Sequence, residues 1–167
     1  MKAIVIHEYG GPEVLTYQDV PDPVVGEGEV VVRVHAVSVN RTLDIAVRAG
    51  RQKQRGITLP ITPGVDPSGV VTSVGGGVND RKVGDRVAVL SHAFSPTPGQ
   101  HAGRPRNAQG QDEMIGIHRP GGAAELVSTP ASHTFQIPDN VPFADATVIS
   151  RHGPTAYHLL VHMADLQ

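Results

Sequence analysis

The chain has 167 residues, enough to bury one good core and too few to force a second fold onto it, so a single domain is expected. Lys plus Arg (14) nearly balance Asp plus Glu (16), with both signs scattered along the chain, which argues against a nucleic-acid or membrane-surface partner. There is no cysteine, hence no disulfide, no thiolate metal site and no thiol nucleophile.

Met1-Lys2 runs straight into the alternating Ala3-Ile4-Val5-Ile6-His7, without an apolar leader, a small-residue cleavage site or a membrane-length apolar run. This reads as a soluble, cytoplasmic protein. Glycine (19) and proline (14) punctuate apolar runs rather than forming a low-complexity block, the pattern of many short strands joined by turns. Strands are predicted over 3–8, 15–20, 29–39, 69–74, 85–90 and 123–128. In the longest of them Val30, Val32, Val34 and Ala36 share one face and Val31, Arg33, His35 and Val37 the other, so one face is expected in the core and the other partly wet. A short helix is predicted over 43–49, stopped by Gly50. Gly75-Gly76-Gly77 lies between strands rather than opening a helix after one, so it reads as a hairpin turn and fails the dinucleotide-binding context.

The polar, Pro/Gly-rich segment 91–121 shows no periodicity and is read as a lobe. It carries His92, His101, Asp112, Glu113 and His118, but in no compact ligand spacing, so a solvated loop is preferred to a metal site. Pro142 is expected to open a short helix through Ala144, Ala146 and Ile149. Gly153-Pro154 is expected to start a further one, on which Tyr157, Leu160, Val161 and Ala164 form an apolar stripe in need of a partner surface. Evenly spaced strands with few helices predict a mainly β fold, a closed or partly open small barrel.

Several segments, in order, carry a resemblance. They are Lys2-Ala3-Ile4-Val5 with Gly10-Gly11-Pro12-Glu13-Val14-Leu15, then Pro21-Asp22-Pro23, Gly28-Glu29-Val30, and Val39-Asn40 leading to Asp44 and Arg48-x-Gly50. They continue with Pro63-Gly64-Val65-Asp66-x-x-Gly69, Val83-Gly84-Asp85-Arg86-Val87, Gly121-Gly122-Ala123-Ala124-Glu125, Ile137-Pro138-Asp139 and Thr155-Ala156-Tyr157-His158. Together they resemble the medium-chain dehydrogenase/reductase superfamily of zinc alcohol dehydrogenases and zinc-free quinone oxidoreductases. The resemblance implies a GroES-like catalytic domain over 1–150 and a helix over 151–167 leading toward a Rossmann domain that these residues do not include. The chain is therefore expected to be the substrate-side part of a longer, homo-oligomeric protein.

It also implies a chemistry. Where the zinc branch has a cysteine, a Gly-His-Glu histidine and a later cysteine or acid, this sequence has Arg41, Val65 and a position near Arg151. Guanidinium and valine do not ligate zinc, so no metal is expected. The family cofactor would be NADPH or NADH, and the substrate a small quinone, enone or aldehyde, whose carbonyl hydrogen-bond donors must polarise in place of a metal. By resemblance Asn40 is a substrate-side donor, although it precedes Asp44 by one residue more than the family pattern; its other reading is a turn residue at a strand end. Arg48 is a second catalytic candidate, with an ion pair to Asp44 as its structural reading, and His152 is a third. Thr155 and Arg41 are the cofactor-side candidates. Other readings remain open: a non-enzymatic GroES-like binding module, a metal-binding protein using the histidine-bearing lobe, and a zinc-type alcohol dehydrogenase relative that has lost its metal sites.

Overall fold

The computed structural model describes residues 1–90, 114–164 and 166. Seven strands form in chain order: β1 (Lys2–Ile6), β2 (Leu15–Asp19), β3 (Glu29–Val37), β4 (Pro67–Val74), β5 (Arg86–Val89), β6 (Leu126–Pro130) and β7 (Thr134–Gln136). Between β3 and β4 lies α1 (Asp44–Arg48), and after β7 comes α2 (Phe143–Tyr157), followed by the π-helical turn His158–Met163. Strands β1 and β2 make a hairpin, and the other five form a sheet in the order β6-β3-β4-β5-β7, every pairing antiparallel. The sheet does not close on itself. The hairpin docks beside β6, where Ile4 N donates to the Ala123 carbonyl and Glu125 N to that of Lys2. A mainly β, partly open barrel is thus what the sequence led us to expect.

Strand β3 carries the core, and its burial is richer than simple alternation. Val30, Val31 and Val32 are all buried, whereas Arg33 and His35 farther along the strand are exposed. Val30 and Val32 join Val71, Val87, Val89, Ile115 and Val127 on the inside of the sheet. On the other side His35 stacks on Phe143 of α2, ring centroids 4.5 Å apart. Register shifts at Val31/Val32 and Val34/Ala36 mark bulges that bend the strand, as barrel curvature requires. A second cluster, Ile6, Leu43, Val47, Ile61, Val65, Met114 and Ile117, fills the space under α1. Met114, Ile115 and Ile117 lie in what the sequence reads as a polar lobe, so the lobe's C-terminal end belongs to the core. His118 Nδ1 accepts from Met114 N at 3.2 Å; the lobe's remaining metal candidates, His92, His101, Asp112 and Glu113, fall outside the described residues.

The C-terminal helix departs from expectation. Gly153-Pro154 does not start it, because α2 runs unbroken from Phe143 to Tyr157 with Pro154 inside. Proline's fixed φ is helical, so the chain continues at the cost of one backbone hydrogen bond. The π-helical turn then follows directly. Tyr157 and Leu160 of the apolar stripe are exposed, and so are Leu159 and Met163 beside them. This apolar surface should drive self-association. Light scattering of the isolated chain is expected to show concentration-dependent oligomers that Leu160→Glu disperses; a monomer at high concentration would mean the surface is covered. Among the described residues, no helix is long and apolar enough to cross a membrane.

Candidate functional site

The turn between β3 and α1 is organised by two side chains that take up backbone amides. Asn40 Oδ1 accepts from Thr42 N (3.1 Å), Leu43 N (3.0 Å) and Thr42 Oγ1 (2.8 Å). Asp44 Oδ2 reaches back to Asn40 N at 2.7 Å, completing a reciprocal cap of the kind that fixes helix starts. Its Oδ1 accepts from Gly64 N at 2.9 Å, which ties α1 to the loop preceding β4.

Burial pushes the Asp44 carboxyl above the usual carboxylate range, the neighbouring Asp66 adding to the effect, while the Asn40 and Gly64 amides and Arg151 pull the other way. A raised folded-state value favours the protonated form, so the stability this group contributes is complete below the unfolded value and fades as pH rises through the folded one. Asp44→Asn should cost about 1–3 kcal/mol, because the amide presents an NH2 to one of two backbone donors. Urea melts across acidic to neutral pH should show that deficit narrowing as pH rises. A deficit that widens would reverse the assigned shift.

Asp66, fully buried, is the hub. Its Oδ1 pairs with Arg151 Nη1 of α2 at 2.8 Å, and its Oδ2 accepts from Ser38 Oγ and Asn40 Nδ2, each at 3.3 Å. Asp66 thus accepts from three side chains. Three segments far apart in sequence, the end of β3, the start of β4 and α2, are pinned at one carboxylate.

Arg48 does not pair with Asp44, whose oxygens are taken by the two backbone amides. Its Nη1 is buried and makes no hydrogen bond. With Ser38, Val39, Asp44 and Ile45 it lines a cavity of about 180 Å³. The other three candidates lie outside this network: Arg41 is exposed at the entrance to α1, and His152 and Thr155 are exposed on α2 beyond Arg151. The structure thus brings Asn40 and Arg48 to one locality, bridged by Asp44 and Ser38. Arg151 could be found in sequence through its place near the third metal-ligand position; nothing in the sequence marked Ser38. Among the described residues, no three His, Cys, Asp or Glu side chains come together as a metal-holding group.

The model of the alcohol dehydrogenase GroES-like domain matches residues 26–139. The chain belongs to this family. A quinone oxidoreductase of Pongo abelii is 31% identical over 169 residues, a match covering all of this chain and 43% of that protein. Among solved structures, an NAD-dependent alcohol dehydrogenase superposes with a TM-score of 0.80 at 33% identity, over all of this chain and 48% of its own. A mycobacterial protein solved with NADPH gives 0.73 at 30% identity, over all of this chain and 43% of its own. This GroES-like domain therefore spans a little under half the length of such relatives, and its likeness to the medium-chain dehydrogenase/reductase superfamily extends from the first strand to the end of α2. In it the Asp66–Arg151 pair joins the barrel to α2.

Proposed function

We propose that this GroES-like domain is the substrate-side part of an NAD(P)H-dependent, cytoplasmic, homo-oligomeric oxidoreductase of the zinc-free quinone- or enone-reductase type. The observation that carries the reading is the pair of Asp66 with Arg151 at 2.8 Å. The family's metal-ligand positions here carry Arg41, which is exposed, Val65, which is packed among Ile6, Leu43 and Val47, and, near the third, Arg151 on its carboxylate. None of these groups ligates zinc, and an internal guanidinium occupies the electrostatic place of a cation. Polarisation of the acceptor then falls to hydrogen-bond donors.

Nicotinamide, when bound, supplies the hydride. Thr155 and Arg41, exposed on two sides of the hub, are assigned to the cofactor side. Arg48 and His152 donate to the acceptor's oxygen. Asn40, whose Oδ1 is spent on the turn and whose amide nitrogen bonds Asp66, keeps one N–H for an acceptor while holding α1 in place. Donors of this kind suffice for quinones and enones, where the developing charge is delocalised.

The test is NADH and NADPH oxidation with 1,4-benzoquinone and a simple enone, using the longest reading frame that contains these residues, before and after exhaustive chelation. Turnover indifferent to the chelator is expected, and none from the 167-residue chain alone, since delivery of a hydride depends on a positioned cofactor. Activity lost on chelation and restored by zinc would sink the metal-free reading; absence of turnover with every acceptor would favour a binding module.

A further inference from the structure

We propose that His158 and His162 form a two-histidine chelate for a divalent transition-metal ion, taking Cu2+ in preference to Ni2+ or Zn2+. The two residues stand at i and i+4 in the π-helical turn that continues α2, so their side chains lie one above the other on one face of it. Their ring centroids are 5.5 Å apart and the ring planes are tilted by 45°. Both residues are exposed, and among the described residues neither ring has a hydrogen bond or an ion pair. Each imidazole therefore keeps a nitrogen for a ligand. The positions where the zinc branch of the family has its ligands fall elsewhere, at Arg41, Val65 and near Arg151. Neither histidine is assigned to the acceptor or the cofactor, so the inference goes beyond the reductase reading.

The spacing of the rings is that of a filled chelate. An imidazole nitrogen binds such an ion at about 2.0–2.1 Å, which sets each ring centre about 3.2 Å from it, and two such arms at a tetrahedral angle place the ring centres about 5.2 Å apart. The observed 5.5 Å reaches that arrangement by rotation about χ2, a broad torsion in histidine, with the backbone left in place. Two features hold the pair ready. Ala164 N donates to the Leu159 carbonyl at 3.0 Å, which fixes the turn that spaces the rings. Tyr157 meets His162 edge to face, ring centroids 5.6 Å apart, and so narrows that imidazole's freedom before an ion arrives. The donor set then selects the ion. Imidazole suits copper, nickel and zinc, whereas magnesium and calcium call for oxygen donors, and at a given nitrogen site affinity peaks at Cu2+. No group of three His, Cys, Asp or Glu is assembled among the described residues, so water fills the remaining positions and the site is open and exchangeable rather than a closed structural centre. A single imidazole would hold the same ion weakly. The second, already fixed one turn away, adds its bond as an intramolecular step.

The experiment titrates the 167-residue chain, free of any affinity tag, with the chlorides of Cu2+, Ni2+ and Zn2+ in a calorimeter, and maps the Cu2+ site by paramagnetic broadening of amide NMR signals. The tightest binding should saturate at one ion per chain, strongest for Cu2+, and the first signals to broaden should be the amides from His158 to His162. His158→Asn and His162→Asn should each weaken Cu2+ by at least about tenfold, because either one removes the chelate. Both residues are exposed, so the fold survives the changes. His7→Asn, at an exposed histidine just after β1, should alter nothing. Cu2+ affinity untouched by either single variant, first broadening centred on other residues, Zn2+ bound more tightly than Cu2+, or no saturable binding would each overturn the proposal. One ion per two chains would overturn it as well, since the ion would then bridge copies. Copper binding without quinone turnover in the longer protein removes the reductase reading alone, and turnover without copper binding removes the chelate alone.

Discussion

Arg151→Met should destabilise the domain by about 3–5 kcal/mol, the usual consequence of stripping one partner from a buried ion pair. Asp66 has no exposed surface, and the Arg151 side chain is only 19% exposed, so little water reaches the carboxylate once the guanidinium is gone. The remaining donors on it, Ser38 Oγ and Asn40 Nδ2 at 3.3 Å, are neutral and long. The loss should appear as a lower urea midpoint at unchanged slope. Pairing the change with Asp66→Asn should recover most of it, because the double variant buries no charge. A single-variant cost under about 1 kcal/mol would place the pair among weak surface bridges and remove its claim to anchor α2.

That anchor explains which parts of the molecule could be read in the sequence. The strands were legible because β-branched runs between Gly and Pro leave few other options: 15–20, 29–39, 69–74 and 85–90 match β2, β3, β4 and β5 within two residues at either end. Strand β7 was not, since Thr134–Gln136 is three residues long and owes its pairing to β5 rather than to any pattern of its own. Tertiary context also overrode the local signal at Pro154. A Gly-Pro pair reads as a helix start, yet α2 is already under way, held by the Ser68 Oγ bond to the Phe143 carbonyl, the Phe143–His35 stack and the Arg151–Asp66 pair.

The site was legible as a list of residues and not as a network. Asn40, Asp44 and Arg48 are recognisable by spacing, but spacing suggested an Arg48–Asp44 ion pair. The i, i+4 rule describes an isolated helix, and α1 is a single short turn whose Asp44 is drawn to amides on both sides of it. Two backbone donors within 3 Å outcompete a flexible guanidinium, whose Nη1 is left buried without a hydrogen bond. Residues contributed by β3, the loop before β4 and α2 meet only through the sheet, and no periodicity carries that information.

Gly64→Ala is expected to be a severely damaging single-methyl addition, costing about 3 kcal/mol or more. The residue sits at φ 101°, outside the region an L side chain adopts. A Cβ there would lie 2.5 Å from Ala123 N, 2.9 Å from Gly122 C and 3.0 Å from Gly122 N. All three are backbone atoms, so no rotamer change relieves the contact. Nor is the backbone free to retreat: Gly122 N bonds the Gly64 carbonyl at 2.7 Å, Ala123 N that of Pro63 at 2.9 Å and Gly121 N that of Thr62 at 2.8 Å. Shifting this ladder also withdraws Gly64 N from Asp44 Oδ1, so the damage should propagate to α1 and to the Arg48 cavity. Gly76→Ala is the matched comparison, since a Cβ at Gly76 meets nothing within 4 Å and it should change stability by no more than about 0.5 kcal/mol. Urea denaturation of both variants, with amide shifts of Asn40 and Asp44 recorded in the folded state, measures the two effects together. A Gly64→Ala domain as stable as the Gly76→Ala one would mean that the loop before β4 yields, and that Asp44 is not fixed by it.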